Sequence, residues 1–150
     1  MNEELVSALK VLLSDTVALK YKAQGYHWNV EGPDMGAWHV GLFTDIYEDM
    51  EDALDTFAEW IRKLDTDKYA PFKLSRFVEL TTVPETTVSS NPLDMARDLD
   101  ESIYMVMDKI VAVFDVATAA KQQGLANFLA DRQDMHQRWC WMLKASLKTV

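Results

Sequence analysis

Apolar positions recur with helical period along most of the chain. Leu5, Leu9, Leu12, Thr16, Leu19, Ala23 and Tyr26 alternate spacings of four and three, one stripe on a long first helix. "EGPD" at 31–34 ends it, because Gly32 brings no side chain and Pro33 no amide hydrogen. A second stripe runs through Leu42, Ile46, Met50, Ala53, Phe57, Trp60 and Leu64. Phe43, Tyr47, Leu54 and Ile61 widen it, so this helix is expected to touch more than one neighbour. The third helix opens with a signal: Asn91 suits the N-cap, Pro92 the first turn and Asp94 the positive end of the helix dipole. Ala96, Leu99, Ile103, Val106, Ile110, Val113, Ala117 and Ala120 follow, with Gly124 expected to close the helix. Leu125, Phe128, Arg132, Met135, Trp139, Met142 and Ser146 mark a fourth.

Connection lengths then set the topology. Helices one and two, and three and four, are joined by short turns and must be antiparallel pairs. Residues 65–91 separate the second from the third, and a helix of about 28 residues is about 42 Å long. A connection of that size can return along the bundle, which predicts an all-α, ferritin-like four-helix bundle with one long crossover. Within the crossover "LSRFVEL" (74–80) suits one or two helical turns. Phe72, Phe77 and Val78 would stand exposed there unless a partner subunit covers them.

Composition narrows the class. The 150 residues fit one domain spanning 1–150, large enough for a core without a disulfide. The N-terminus "MNEEL" lacks a basic leader, and no apolar run reaches the ~18 residues of a membrane span. One cysteine, Cys140, rules out an internal disulfide and multi-cysteine metal sites, so a cytoplasmic protein is expected. A net charge of −9, from 24 acids and 15 bases, argues against nucleic-acid binding, which draws on Lys and Arg. It leaves room for acidic faces that attract cations.

Two of the three histidines lie in "GYHWNVEGPDMGAWHVGLF" (25–43), each beside a tryptophan. His27 and His39 are either metal ligands joined by the fold or two aromatic-rich ends flanking a loop. An iron pair inside one bundle needs Glu-x-x-His on two helices. The residues three before His27, His39 and His136 are Gln24, Gly36 and Gln133, which speaks against such a site. Asp45, Glu48, Asp52, Asp55 and Glu59 line one face of the second helix, within roughly 80° of arc. Like charges so spaced repel, and either water or a bound cation must offset this. Asp55 and Glu59, one turn apart, are the pair best placed to grip a cation.

"HWNVEGP", a second histidine opening the next helix, and "DTFAEWI" near its end resemble the Dps family of mini-ferritins. So do "LSRFVELTTVPE" in the crossover and "LADRQDMHQRWCWMLKASL" in the last helix. The resemblance covers essentially the whole chain. It implies a hollow homo-oligomeric shell, a dodecamer, that oxidises Fe²⁺ with hydrogen peroxide and stores Fe³⁺. It also implies a metal site shared across a two-fold interface, with His27 and His39 from one subunit and Asp55 and Glu59 from the other. Trp28 would then lie beside the metal, as an oxidisable ring that takes up a stray oxidising equivalent. Acids at the start of the last helix line the family's iron-entry pores, and Asp131 and Asp134 are the candidates here. The family members that bind DNA use a Lys/Arg-rich extension, and none is evident in this chain.

The chain departs from the pattern at one point. The family places an aspartate four residues after the second histidine, where this sequence has Phe43. His39 and Asp55 are sixteen residues apart, about 160° around a regular helix, and the family's spacing is one residue shorter. Thr44 falls in phase with Asp55 but carries no charge. Either a π-bulge absorbs the extra residue or His39 precedes the regular helix. Asp45 and Glu48 are the acids near enough to stand in, and without them the site is a degraded one on a surviving shell.

Overall fold

The computed structural model describes residues 2–149, which form six helices and no strand: α1 (Asn2–Asn29), α2 (Met35–Val40), α3 (Leu42–Leu64), α4 (Leu74–Leu80), α5 (Pro92–Ala119) and α6 (Gln123–Ser146). The four long ones make the bundle. Every stripe residue expected on α1 is buried, and Ala96 to Ala117 of α5 are buried at the expected spacing. Phe43, Ile46, Met50, Phe57 and Ile61 complete the centre from α3. Asn91 caps α5 as expected, its side-chain oxygen accepting from Leu93 N at 2.8 Å.

Long-range hydrogen bonds establish the path of the crossover. Asn2 Nδ2 donates to Leu64 O at 2.9 Å, so α3 ends where α1 begins. Glu31 N donates to Ser90 O at 2.9 Å, so α5 starts where α1 ends. Residues 65–91 therefore travel the length of the bundle, and α3 and α5 run parallel. Midway, the carboxylate of Asp15, fully buried in α1, accepts from Thr82 N at 2.7 Å and from the Thr81 hydroxyl at 2.8 Å. This buried acid fastens α4 and the strap after it to α1. Near the far end Lys22 pairs with Asp98 at 2.7 Å, and the Tyr26 hydroxyl donates to the same carboxylate.

One boundary differs from expectation. Gly124 does not close α5; it lies in the first turn of α6. The left-handed turn that ends α5 falls on Lys121, at φ 60°. Gly124 serves packing instead: a Cβ there would stand 3.1 Å from the Trp60 ring.

Candidate metal centre

α1 ends in the turn that Gly32 makes at φ +113°, a left-handed conformation that favours glycine. The chain then doubles back as α2 and lays His39 against His27. The imidazoles stack face to face, with ring centres 3.8 Å apart and planes 9° from parallel. Each ring is tied to the other residue's backbone. His39 Nδ1 donates to His27 O at 2.7 Å, and His27 Nδ1 donates to His39 O at 2.5 Å. Thr44 Oγ1 bonds His39 O and lies 2.9 Å from His27 Nδ1. With both protons held at Nδ1, both Nε2 lone pairs are left open, the tautomer that a metal-binding histidine needs.

The extra residue is absorbed at Gly41. This glycine separates α2 from α3 with φ −96° and ψ −115°, so His39 precedes the regular helix. Gly41 is confined to glycine by contact, because a Cβ would meet Ala37 O at 2.3 Å. α3 restarts one residue out of phase. Phe43, at the position where an acid was sought, is fully buried against Tyr26 and Trp38. Thr44 takes the in-phase place beside the histidines.

Asp55 and Glu59 are exposed on the same face of α3, as are Asp45, Glu48 and Asp52. Eleven and fifteen residues separate Asp55 and Glu59 from Thr44, about 16 and 22 Å along the axis. Asp55 and Glu59 thus stand far from the imidazoles of their own chain, whereas Asp45 and Glu48 follow Thr44 by one and four residues. Among the described residues no three His, Cys, Asp or Glu side chains gather into a metal-sized cluster. Two neutral imidazoles cannot balance a dication, and two exposed carboxylates hold one only loosely. The donor types suit iron when the two halves are joined. Trp28, next to His27, is 61% exposed.

The bundle interior holds a different polar group. Arg132 grips Asp49 with two hydrogen bonds of 2.9 Å, and Trp139 Nε1 donates to the same carboxylate at 2.8 Å. Burial pushes the Asp49 carboxyl up, but the bonds and charge of Arg132 outweigh it and hold it below the ordinary range. His136 Nδ1 bonds Ile103 O at 3.0 Å; burial first and the Arg132 charge second push this imidazole down to about 4. A guanidinium beside the third histidine makes this a structural ion pair, not a metal box. The sequence carried its signal in Arg132, a cation on an apolar stripe that required a buried acid opposite. Cys140 is buried, and burial pushes its thiol up to about 12, so it stays protonated.

A groove of about 600 Å³ lies between α1 and the crossover, floored by Val17, Ala18 and Tyr21 and walled by Phe77 and Val83. It reaches Tyr26 and Asn29, the neighbours of His27 in the last turn of α1. Phe72, Leu74 and Val78 are 78%, 73% and 65% exposed beside it, whereas Phe77 packs on the core. No helix of the described residues is long and apolar enough to cross a membrane.

Comparison with known proteins agrees with this architecture. A family model described as a ferritin-like domain matches residues 6–150. A DNA protection during starvation protein from Helicobacter pylori is 29% identical over 140 residues, covering 93% of this chain and 95% of that protein. A protein of the same description from Brevibacillus brevis is 25% identical over 152 residues, covering 99% of this chain and all of that one. Among solved structures, Dps from Thermosynechococcus elongatus superposes with a TM-score of 0.93 at 21% identity, covering 99% of this chain and 93% of that one. A Dps protein from Vibrio cholerae O1, described as a member of a broad superfamily of ferritin-like diiron-carboxylate proteins, gives 0.91 at 24% identity, covering 97% and 90%.

Proposed function

The chain belongs to the ferritin-like domain family, with Dps proteins as its relatives, and on that premise we propose that it is a cytoplasmic mini-ferritin that takes up, oxidises and stores iron. Fe²⁺ binds where His27 and His39 of one subunit meet Asp55 and Glu59 of a two-fold-related copy. Hydrogen peroxide accepts one electron from each of two ferrous ions and two protons, leaving two Fe³⁺ and two waters. The ferric product collects inside a closed homo-oligomeric shell, a dodecamer by resemblance to the family.

The observation that carries this reading is the division of the donor set. The imidazoles are held with open Nε2 atoms in no cluster of three ligand side chains among the described residues, and the paired acids Asp55 and Glu59 stand exposed at a distance. A second copy seated on the apolar groove beside His27 would bring its α3 acids to the imidazoles and cover Leu74 and Val78. DNA is not a proposed partner, because a net charge of −9 repels phosphate.

The test is anaerobic loading with Fe²⁺ followed by peroxide. A fast rise in ferric absorbance is expected, reduced at least tenfold in Asp55→Ala and in Glu59→Ala. Variants that match the parent would show that iron is oxidised elsewhere. Phe43, apolar where an acid was sought, and Thr44, uncharged in the in-phase place, favour a second reading: a shell that takes up metal without oxidising it. A parent that oxidises iron no faster than a protein-free control would establish that reading.

A further inference from the structure

The polar tie between α3 and α6 runs through one carboxylate. Asp49 on α3 accepts from Arg132 and Trp139 on α6, and Met50 Sδ lies 3.4 Å from Arg132 Nη2. Among the described residues no other hydrogen bond joins these two helices. The opposite seam, α1 against α5, has a tie of its own. Lys22 Nζ donates to Asp98 at 2.7 Å and to Ser102 at 3.1 Å, and Tyr26 donates to Asp98.

The α3–α6 tie has a weakness that the other lacks. Among the described residues, Nε of Arg132 and Nε2 of His136, one turn apart on α6, are buried without a hydrogen-bond partner. His136 Nδ1 already bonds Ile103 O, so a further proton must enter at Nε2. That proton would set a second buried cation beside the guanidinium, with Asp49 as the carboxylate acting on both. One negative charge cannot balance two positive ones, and an unpaired buried charge is costly. The other buried acids are engaged: Asp100 on α5 pairs with Lys144 at 2.7 Å, and Asp15 on α1 accepts from Thr81 and Thr82. Cys140, a turn beyond His136, is a neutral thiol. Water is what remains to meet the new charge, and it reaches His136 where α3 and α6 part.

We propose that His136 is an acid-operated catch: a proton bound at Nε2 opens the seam between α3 and α6 while the seam between α1 and α5 stays closed. Opening returns the imidazole to its ordinary 6.5, so the open form binds a proton that the closed form refuses. The α1–α5 tie outlasts it on acidification. Burial pushes the Asp98 carboxyl up, but the bonds from Lys22, Tyr26 and Thr86 outweigh this and hold it below the ordinary carboxylate range. α3 also bears Asp55 and Glu59, so the catch links acidity to the helix that carries the paired acids. It needs neither a metal nor a second copy.

Hydrogen–deuterium exchange of the assembled protein from pH 7 to 4.5, read by mass spectrometry and corrected for the intrinsic rate, tests it. Protection of 46–53 and 132–139 is expected to fall about tenfold for each pH unit below about 6, as one bound proton dictates, while 16–23 and 95–102 hold. His136→Gln keeps a donor for Ile103 O and takes up no proton, so its α3–α6 seam should exchange alike at every pH. Equal loss in both seams, unchanged protection of 46–53 and 132–139 in the parent, or an unaltered slope in His136→Gln would overturn the proposal. The parent's two seams decide the matter even where the variant fails to fold.

Discussion

Gly41 governs the centre without touching a ligand. Its missing Cβ allows α2 to end and α3 to restart out of phase, which turns Phe43 inward and Thr44 toward the imidazoles. In Gly41→Ala the new methyl would meet Ala37 O at 2.3 Å, and the backbone between His39 and Thr44 must move. An overpacking cost of about 1–3 kcal/mol is expected, with metal uptake weakened alongside. Gly36→Ala, with nothing within 4 Å, serves as the control and should leave both unchanged. Thermal melts with and without Zn²⁺ read both effects. His136 makes a separate prediction. Its folded value of about 4 lies below the ordinary 6.5, so the unfolded chain binds more protons between these limits. Stability is therefore full above pH 6.5 and falls as pH drops toward 4, by about 3 kcal/mol in all. Denaturant midpoints at pH 7, 5.5 and 4 should show the decline, and His136→Gln should flatten it. Asp49 loses its pairing at still lower pH, since its carboxyl is held below the ordinary carboxylate range.

At the scale of elements, the stripes of α1, α3 and α5 were legible because burial imposes a period that the residue types record directly. The α4 segment was legible from its spacing of apolar and polar residues although none of them is fully buried, and its bounds in the structure are Leu74–Leu80 as read from "LSRFVEL". The break at Gly41 was legible only as a phase conflict between His39 and Asp55. Its resolution depends on a single close approach to Ala37 O, which no periodicity encodes. The role of Asp15 was invisible, since an aspartate at mid-helix reads as a solvated residue until the crossover arrives to bond it. That bond carries a prediction. Asp15→Ala leaves the Thr82 amide and the Thr81 hydroxyl without their acceptor. A loss of about 2–4 kcal/mol is expected, since each orphaned group costs a fraction of that. Limited proteolysis should then cut first within residues 65–91, with the four long helices still folded by far-ultraviolet circular dichroism. Asp15→Asn, which keeps one acceptor oxygen, should recover part of the loss. Equal cleavage of parent and Asp15→Ala would show that α4 is held by its apolar contacts alone.

At the scale of the whole molecule, the proposed chemistry and the proposed assembly stand or fall together. A chain that placed its paired acids and its imidazoles in one cluster could work alone; this one sets Asp55 and Glu59 about 16 Å or more from Thr44 along α3. It also leaves apolar side chains uncovered beside the histidine end of α1. Leu74 and Val78 are 73% and 65% exposed and lie outside the core of their own chain, so charge placed there should cost the isolated bundle little. Across an interface between copies the same charge would be buried without a partner. Leu74→Asp/Val78→Asp should therefore yield a smaller species by sedimentation, with helix content unchanged. That species should lose peroxide-driven iron oxidation, although His27, His39, Asp55 and Glu59 are all intact. Mixing two assembled variants gives the complementary outcome: His27→Ala/His39→Ala and Asp55→Ala/Glu59→Ala are each inactive alone. After dissociation and reassembly together, interfaces that pair unaltered imidazoles with unaltered acids should regain oxidation. A dissociated variant that oxidises iron at the parent's rate would mean that one chain completes the centre by itself, and the division of ligands between copies would then be wrong.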